Sequence, residues 1–345
     1  MAMTALAAFA AGCQKDLIPD FAPGGEDRHK VVAIAFDNGF VDNAVATRGM
    51  LPLCDFQDTM GVWGWRSDGS TVDEPLFIDQ LISYDRSLDD WTYLPPKYWE
   101  LNSTYRFYAY SPHVSNSRAA GASVSIDPES GLISIDGVKL QGDSTDIDWM
   151  VARQGQTALG RTAGKVQFVM DHILAKLNVR MCVNASMLSA QTGVTSVRLD
   201  SMSIGTFSSR GRFDQKLTHT PSAWSEQDMA AVEWTVTDSP AVSLASGKEI
   251  NIGKDYTYVL DKLLLPQNVT GAQVLKLRYS LTFSDGRCEH FDYVLSLDSA
   301  FGTGSASGAD GRYLSGYSYT LSLTVSPNVI TFNARTSAWT DKNDI

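Results

Sequence analysis

From residue 30 onward, apolar and polar positions alternate with a period of two, the spacing that puts successive side chains on opposite faces of a strand. The alternation is cleanest near the carboxy terminus, where Tyr317, Tyr319, Leu321, Leu323 and Val325 are separated by Ser318, Thr320, Ser322 and Thr324. One face of that strand is predicted to be buried and the other wet. Ser326-Pro327-Asn328 supplies a turn, and Ile330, Phe332 and Ala334 resume the alternation, so the two runs read as a hairpin. A second hairpin runs from Tyr279, Leu281 and Phe283 through Asp285-Gly286 to Phe291, Tyr293, Leu295 and Leu297.

Val166, Phe168 and Met170 are followed by Leu177, Val179, Met181 and Val183, with a change of phase that requires a bulge or break across 171–176. Shorter runs fill the amino-terminal half: Ile34 and Phe36; Tyr105, Phe107 and Ala109; Val124 and Ile126; Ile133 and Ile135. Helical spacing is scarce, and 74–82 is the best place for a brief helical turn. The chain therefore reads as all-β. A polar, Gly-rich stretch at 154–164 separates the patterned halves and places a boundary near residue 161, between one β-sandwich over 30–160 and another over 161–345.

Composition agrees with two units. The 345 residues are 43% hydrophobic, and a single core stops growing at roughly 250–300 residues. Only 19% are charged, while 27 glycines and 10% aromatics suit strands and turns. The formal net charge is -11 and the 28 basic residues are scattered. No basic stripe exists to neutralise a phosphate backbone, which argues against nucleic acid as a partner. An acidic chain is not drawn to anionic lipid either, so membrane attachment has to come from a covalent anchor.

The amino terminus carries a candidate anchor. Residues 1–12 (MAMTALAAFAAG) form an apolar, small-residue run too short to span a bilayer, read as a signal peptide ending at Cys13. Ala10-Ala11-Gly12-Cys13 resembles the bacterial lipobox, which makes Cys13 the lipidation site and 13–29 a lipidated tether. Cys54, Cys182 and Cys288 have no CxxC spacing and read as buried small hydrophobes, with a Cys182–Cys288 bridge as the alternative.

Candidate chemistry is sparse. The five histidines never occur as HxxH, and Cys288-Glu289-His290 has no second close pair to complete a tetrahedron, so neither a metal nor a cofactor is assigned. Asp143, Asp146 and Asp148 share a loop, but the glycine and terminal glutamate of a calcium-binding EF-hand are missing. No GxSxG, P-loop or dinucleotide fingerprint occurs, and the chain reads as a non-enzyme. Trp63 and Trp65 lie two apart, on one face of a strand. They fit a flat platform for a sugar ring, and equally a place in the core.

Several longer motifs follow one another along the chain: Trp91 to Trp99 (WTYLPPKYW), Tyr105 to Pro112 (YRFYAYSP), Val166 to Leu177 (VQFVMDHILAKL), Leu263 to Gln267 (LLLPQ), and Gly316 to Tyr319 (GYSY) leading on to Trp339. In this order, behind a lipobox, they resemble the fimbrillins of Bacteroidales type V pili and their tip and Mfa-like relatives. The resemblance implies two tandem transthyretin-like Greek-key β-sandwich domains on a surface-exposed protein of the outer membrane and fimbrium. It implies other pilin subunits as partners, with host or bacterial surface ligands for adhesion. It also implies assembly by donor-strand exchange, in which a protease cuts after an arginine near the amino terminus and removes the first strand. Arg48, within Val45-Ala46-Thr47-Arg48-Gly49, is the candidate cut, and Val31 to Phe36 is the strand it would release. Arg48 equally fits an ordinary surface arginine, because tip and anchor members need no such cut. The alternative role is a non-polymerising surface adhesin or carbohydrate-binding lipoprotein.

Overall fold

The computed structural model describes residues 32–37, 58–69, 73–116, 119, 121–142, 145–152, 156–159, 164–215, 232–236, 242–246, 249–305, 307, 309–327 and 329–339. In chain order the first strands are β1 (Phe36–Asp37), β2 (Thr59–Ser67), β3 (Glu74–Asp85), β4 (Asp90–Thr92), β5 (Thr104–Ser111), β6 (Ser123–Ile126), β7 (Ile133–Lys139) and β8 (Met150–Ala152). Next come β9 (Gln156–Leu159), β10 (Val166–Gln167), β11 (Met170–His172), β12 (Ala175–Val183), β13 (Val194–Phe207), β14 (Arg210–Gln215), β15 (Val232–Val236) and β16 (Val242–Ser246). The last are β17 (Ile250–Ile252), β18 (Thr257–Leu264), β19 (Gln267–Asn268), β20 (Val274–Phe283), β21 (Cys288–Ser296), β22 (Arg312–Tyr313), β23 (Tyr317–Val325) and β24 (Ile330–Ala338), with one short helix, α1 (Leu297–Phe301), after β21. The fold is all-β, as the alternation predicts.

Four larger sheets carry the structure. One has the order β11-β8-β5-β2-β3-β4, with β9 also on β5; a second is β15-β14-β7-β6; a third is β18-β12-β23-β24; a fourth is β16-β13-β20-β21, with β17 on β13. The third and fourth enclose one core, in which Leu177, Val179 and Met181 of β12 and Leu321 and Leu323 of β23 meet Val197, Leu199, Leu275 and Leu277. Within it β12 and β23 run parallel, from Lys176 opposite Ser318 to Val183 opposite Val325. The second sheet joins distant parts of the chain: Phe213 of β14 pairs with Ile135 of β7, and both pack on the first sheet beside Tyr110 and Trp149.

Both predicted hairpins form, β20–β21 and β23–β24. Asp285-Gly286 makes the first turn, with Gly286 at φ +85°. The predicted break after Met170 is also present, as the gap between β11 and β12. The helical turn expected at 74–82 is instead part of β3. Phe77 and Ile82 both face the core, at 1% and 0% exposure, although an odd spacing of five cannot keep one strand face. A bulge resolves the conflict: Gly64 pairs with Phe77 but Val62 with Gln80, so β3 carries one extra residue there, with Asp79 at φ +46°. That inserted residue breaks the period of two and gives the segment its helix-like spacing.

Cys182 and Cys288 do not bridge. Both are free thiols, on different sheets, the first buried and the second exposed.

Gly61 and Tyr110 face each other across β2 and β5. A Cβ at Gly61 would lie 2.1 Å from Cε1 of Tyr110, whose hydroxyl donates to Asp79 Oδ1 at 2.9 Å. Replacing Gly61 by Ala must displace that ring, and overpacking of this kind costs about 1–3 kcal/mol. A Gly61→Ala variant is expected to show a lower urea midpoint with an unchanged slope.

Tyr319 lies 4.8 Å from Tyr313 and 5.5 Å from Phe301, ring to ring, and its hydroxyl donates to Arg312 O at 2.8 Å. Burial pushes its pKa up to about 12, and burial raises Tyr110 and Tyr313 as well. An unfolded tyrosine ionises near pH ~10. The stabilisation from keeping Tyr319 protonated is therefore complete below pH ~10 and is lost as pH rises to about 12. The midpoint of urea unfolding is expected to stay level to about pH 9 and then fall, with tyrosinate absorbance rising together with unfolding; Tyr319→Phe should reduce that fall.

Candidate assembly site

The first described segment, 32–37, is the feature with most functional content. It runs extended along the apolar face of the first sheet, and alternation sends Ile34 and Phe36 inward, at 1% and 0% exposure, while Val32 stays 47% exposed. Phe36 sits among four rings. Phe77, Tyr93 and Phe107 meet it edge-on at centroid distances of 5.7, 5.7 and 6.1 Å, and Phe168 stacks on it at 6.1 Å. Edge-to-face and offset contacts of this kind suit the quadrupoles of aromatic rings. Each such side chain contributes roughly 1.5–3 kcal/mol by leaving water.

The backbone of the segment is held on two sides. On one, Ile34 N donates to Lys97 O at 2.8 Å and Trp99 N to Val32 O at 3.0 Å, around an antiparallel bridge between Ala33 and Tyr98. On the other, Val166 N donates to Ala35 O at 2.7 Å, and β1 pairs in parallel with β10 over just Phe36–Val166 and Asp37–Gln167. The Tyr93 hydroxyl donates to Ile34 O at 2.7 Å and accepts from Lys97 N at 3.2 Å. Burial raises the Tyr93 pKa, and the bond from Lys97 opposes the rise. The hydroxyl therefore stays a proton donor to the strand.

Two of the sequence motifs are the walls of this slot. Tyr93, Lys97, Tyr98 and Trp99 come from the 91–99 motif; Val166 and Phe168 come from the 166–177 motif. Trp99, 8% exposed, backs the wall edge-on to Tyr105 at 4.7 Å, and the Tyr105 hydroxyl accepts from Glu100 N at 2.7 Å. The 316–319 motif does a different job: Gly316 O accepts from Trp339 N at 2.7 Å, and the Trp339 ring stacks on His172 at 3.8 Å.

Other predicted residues fall elsewhere. Cys13 and Arg48 lie outside the described residues. Trp63 and Trp65 do share a face, the one opposite the slot. Trp63 is 5% exposed and packs on Tyr110 at 5.2 Å. Trp65 is half-buried, edge-on to Tyr108 at 5.8 Å, with the Arg106 guanidinium 5.9 Å from its ring.

Asp143 is also outside the described residues, and its two neighbours serve separate partners. Asp146 accepts from Gln141 N at 2.6 Å and Gly142 N at 2.8 Å, while Asp148 lies 2.7 Å from His172 Nδ1. Among the described residues no three Cys, His, Asp or Glu side chains converge as a metal site, and no helix is long and apolar enough to cross a membrane.

The architecture has solved counterparts. A fimbrial protein from Bacteroides vulgatus superposes with a TM-score of 0.56 at 16% identity, over 89% of this chain and 99% of its own. A candidate cell adhesion protein from Bacteroides uniformis gives 0.50 at 15% identity, over 90% and 98%. At such identity the likeness is one of fold. A comparison with curated proteins gives no match. The fimbrillin-like family matches residues 47–339, most of the chain, and this protein belongs to that family.

Phe36 is expected to dominate the affinity of the first strand for its slot. Phe36→Ala should lower stability by about 3–5 kcal/mol, whereas Val32→Ala, at an exposed position, should change it by less than about 0.5 kcal/mol. Urea unfolding of the two variants beside the parent checks this.

Proposed function

We propose that this chain is a fimbrial subunit that assembles by exchange of its first strand and serves adhesion at the cell surface. The observation that carries the reading is the slot. Its walls come from β3, β5, the 93–99 segment and the 166–168 segment, and its occupant is one extended strand presenting Ile34 and Phe36 two residues apart. Removal of that strand would bare a set of aromatic rings and the free backbone groups of Lys97, Trp99 and Val166. Such a surface takes up another extended strand by main-chain pairing plus alternate side-chain pockets.

A donor with matching spacing exists in the chain itself. Ile330-Thr331-Phe332 of β24 repeats the Ile-x-Phe order of Ile34-Ala35-Phe36. β24 ends its sheet, and Phe332 and Val329 are 40% and 56% exposed. In the proposed sequence of events, lipid on Cys13 holds the precursor at the outer membrane. A cut after Arg48 then frees both lipid and first strand, and the β24 strand of a second copy fills the slot.

The membership in the fimbrillin-like family supports association with other pilin subunits. The competing role is an uncut, non-polymerising adhesin, for which the partly open Trp65, with Arg106 and Tyr108 beside it, offers a saccharide contact.

Treatment with an arginine-specific protease, followed by mass and oligomeric state together, separates the two. Cleavage after Arg48 with SDS-resistant ladders, both lost in Arg48→Ala, is the expected result. Resistance at Arg48, or cleavage that leaves monomer, would sink strand exchange. Saturable glycan binding by intact protein, lost in Trp65→Ala, would then support the adhesin.

A further inference from the structure

Strand β21 ends the sheet β16-β13-β20-β21, and among the described residues it pairs with β20 alone. Alternation puts Cys288, His290 and Asp292 on one face, opposite Thr282, Ser280 and Arg278 of β20. Asp292 is committed to Arg278, whose Nε and Nη2 donate to its two oxygens at 2.8 and 3.0 Å. Cys288 and His290 are left facing solvent, the first as an exposed free thiol and the second with its side chain 57% exposed.

His290 is oriented. Its Nδ1 lies 3.1 Å from Asp200 Oδ2, and Asp200, 12% exposed, is itself fixed by Arg198 Nε and Ser280 Oγ, each donating to Oδ1 at 2.9 Å. Burial works to raise the Asp200 carboxyl, but the bonds to His290, Ser280 and Arg198 together hold it below its usual pKa. Asp200 shares this face with Arg198, two residues before it, and is the unpaired residue where the pairing of β13 with β20 slips between Leu199 and Ser201. An imidazole that donates Nδ1–H to a fixed carboxylate keeps its Nε2 lone pair outward, the arrangement found behind metal-ligating histidines.

Among the described residues one chain brings only this pair together, and a tetrahedral N/S site needs four ligands. We propose that Cys288 and His290 are half of an intermolecular zinc site, completed by the same pair from a second copy of this chain. The geometry of an antiparallel pair carries the step. Two β21 edges meeting about a two-fold axis at Glu289 set each Cys288 opposite the second copy's His290, with all four side chains on one face. Directly opposed side chains stand about 4.5–5.5 Å apart at Cβ, and alternate residues of a strand about 6.6 Å apart. Zinc, with bonds of about 2.3 Å to sulfur and 2.0 Å to nitrogen, spans such a square. The two thiolates neutralise the ion. Glu289 meets its own copy on the opposite face, where Arg287 of each chain already pairs with it. Phe291 and Val294, 36% and 62% exposed, add apolar surface along the same edge.

The test uses the full chain, freed of metal by a chelator and kept reduced with a phosphine. Added zinc is expected to convert monomer to dimer in light scattering, at one zinc per two chains, reversibly with chelator. Cobalt in its place should give a thiolate-to-cobalt charge-transfer band. Cys288→Ser and His290→Ala should each abolish the zinc-dependent dimer. Asp200→Asn, which leaves both ligands in place, should weaken zinc binding by about 10–100-fold with the thermal unfolding curve and the band retained. A chain that stays monomeric with zinc overturns the proposal, as does a dimer that survives the double replacement of Cys288 and His290. A dimer that forms only when the phosphine is left out, and that is indifferent to chelator, would identify a disulfide instead and overturn it equally.

Discussion

The sheet β11-β8-β5-β2-β3-β4 is apolar on both faces, and the amino-terminal part of the molecule is arranged around that constraint. Along β5, Tyr105, Phe107 and Ala109 point one way and Tyr108 and Tyr110 the other; along β2, Met60 and Val62 oppose Trp63 and Trp65. A sheet of this kind is stable in water only when both faces are covered. The fold provides two covers, and they are unequal. One is the sheet β15-β14-β7-β6, which brings Ile133, Ile135 and Phe213 onto Trp63 and Tyr110. The other is completed by a single strand carrying Ile34 and Phe36.

That inequality connects packing to function. Apolar burial has no direction of its own and scales with area, so the slot selects for spacing and volume: two side chains, two residues apart, one of them aromatic. Its main-chain partners, Lys97, Trp99 and Val166, are satisfied by any extended segment. In the proposed strand exchange it is this cover, which asks so little of its occupant, that is replaced, and not the four-strand one. The Tyr93 hydroxyl, shared between Ile34 O and Lys97 N, ties the occupant to the wall and makes that wall part of the same cooperative unit.

The open edge of β21 follows different physics. Besides Val294, its outward face carries polar residues fastened to neighbours: Asp292 to Arg278, and His290 through Asp200 to Arg198 and Ser280. Charge on an edge strand discourages indiscriminate pairing. The thiol and the oriented imidazole that remain are the groups to which the proposed zinc site assigns the choice of partner. The Cys288-Glu289-His290 triplet is visible in the sequence. Asp200 is not: it lies 90 residues away from His290, and only the pairing of β13 with β20 and of β20 with β21 brings it beside the ring.

Much of the fold was legible, for a local reason. A period of two follows from backbone geometry within one strand, so the β20–β21 and β23–β24 hairpins, the break after Met170 and the inward pair Ile34 and Phe36 could be read residue by residue. The 91–99 and 166–177 motifs could be picked out, though not the fact that they are the two walls of one slot. Where a bulge inserts a residue, as at Asp79, the same local rule fails and a strand imitates a helix. For Trp63 and Trp65 the shared face was readable, while their burial depended on which sheet lay across them.

The sequence alone thus determined which segments are strands, which face of each is apolar and where the chain turns, because each depends on residues a few positions apart. Only the tertiary structure decided that β12 lies parallel to β23, that β14 crosses to β7, that β1 sits between Lys97 and Val166, and that Asp200 stands behind His290. Those choices rest on which distant apolar faces exclude water together at least cost in loop closure, a quantity that belongs to the whole chain and leaves no mark on any short stretch of it.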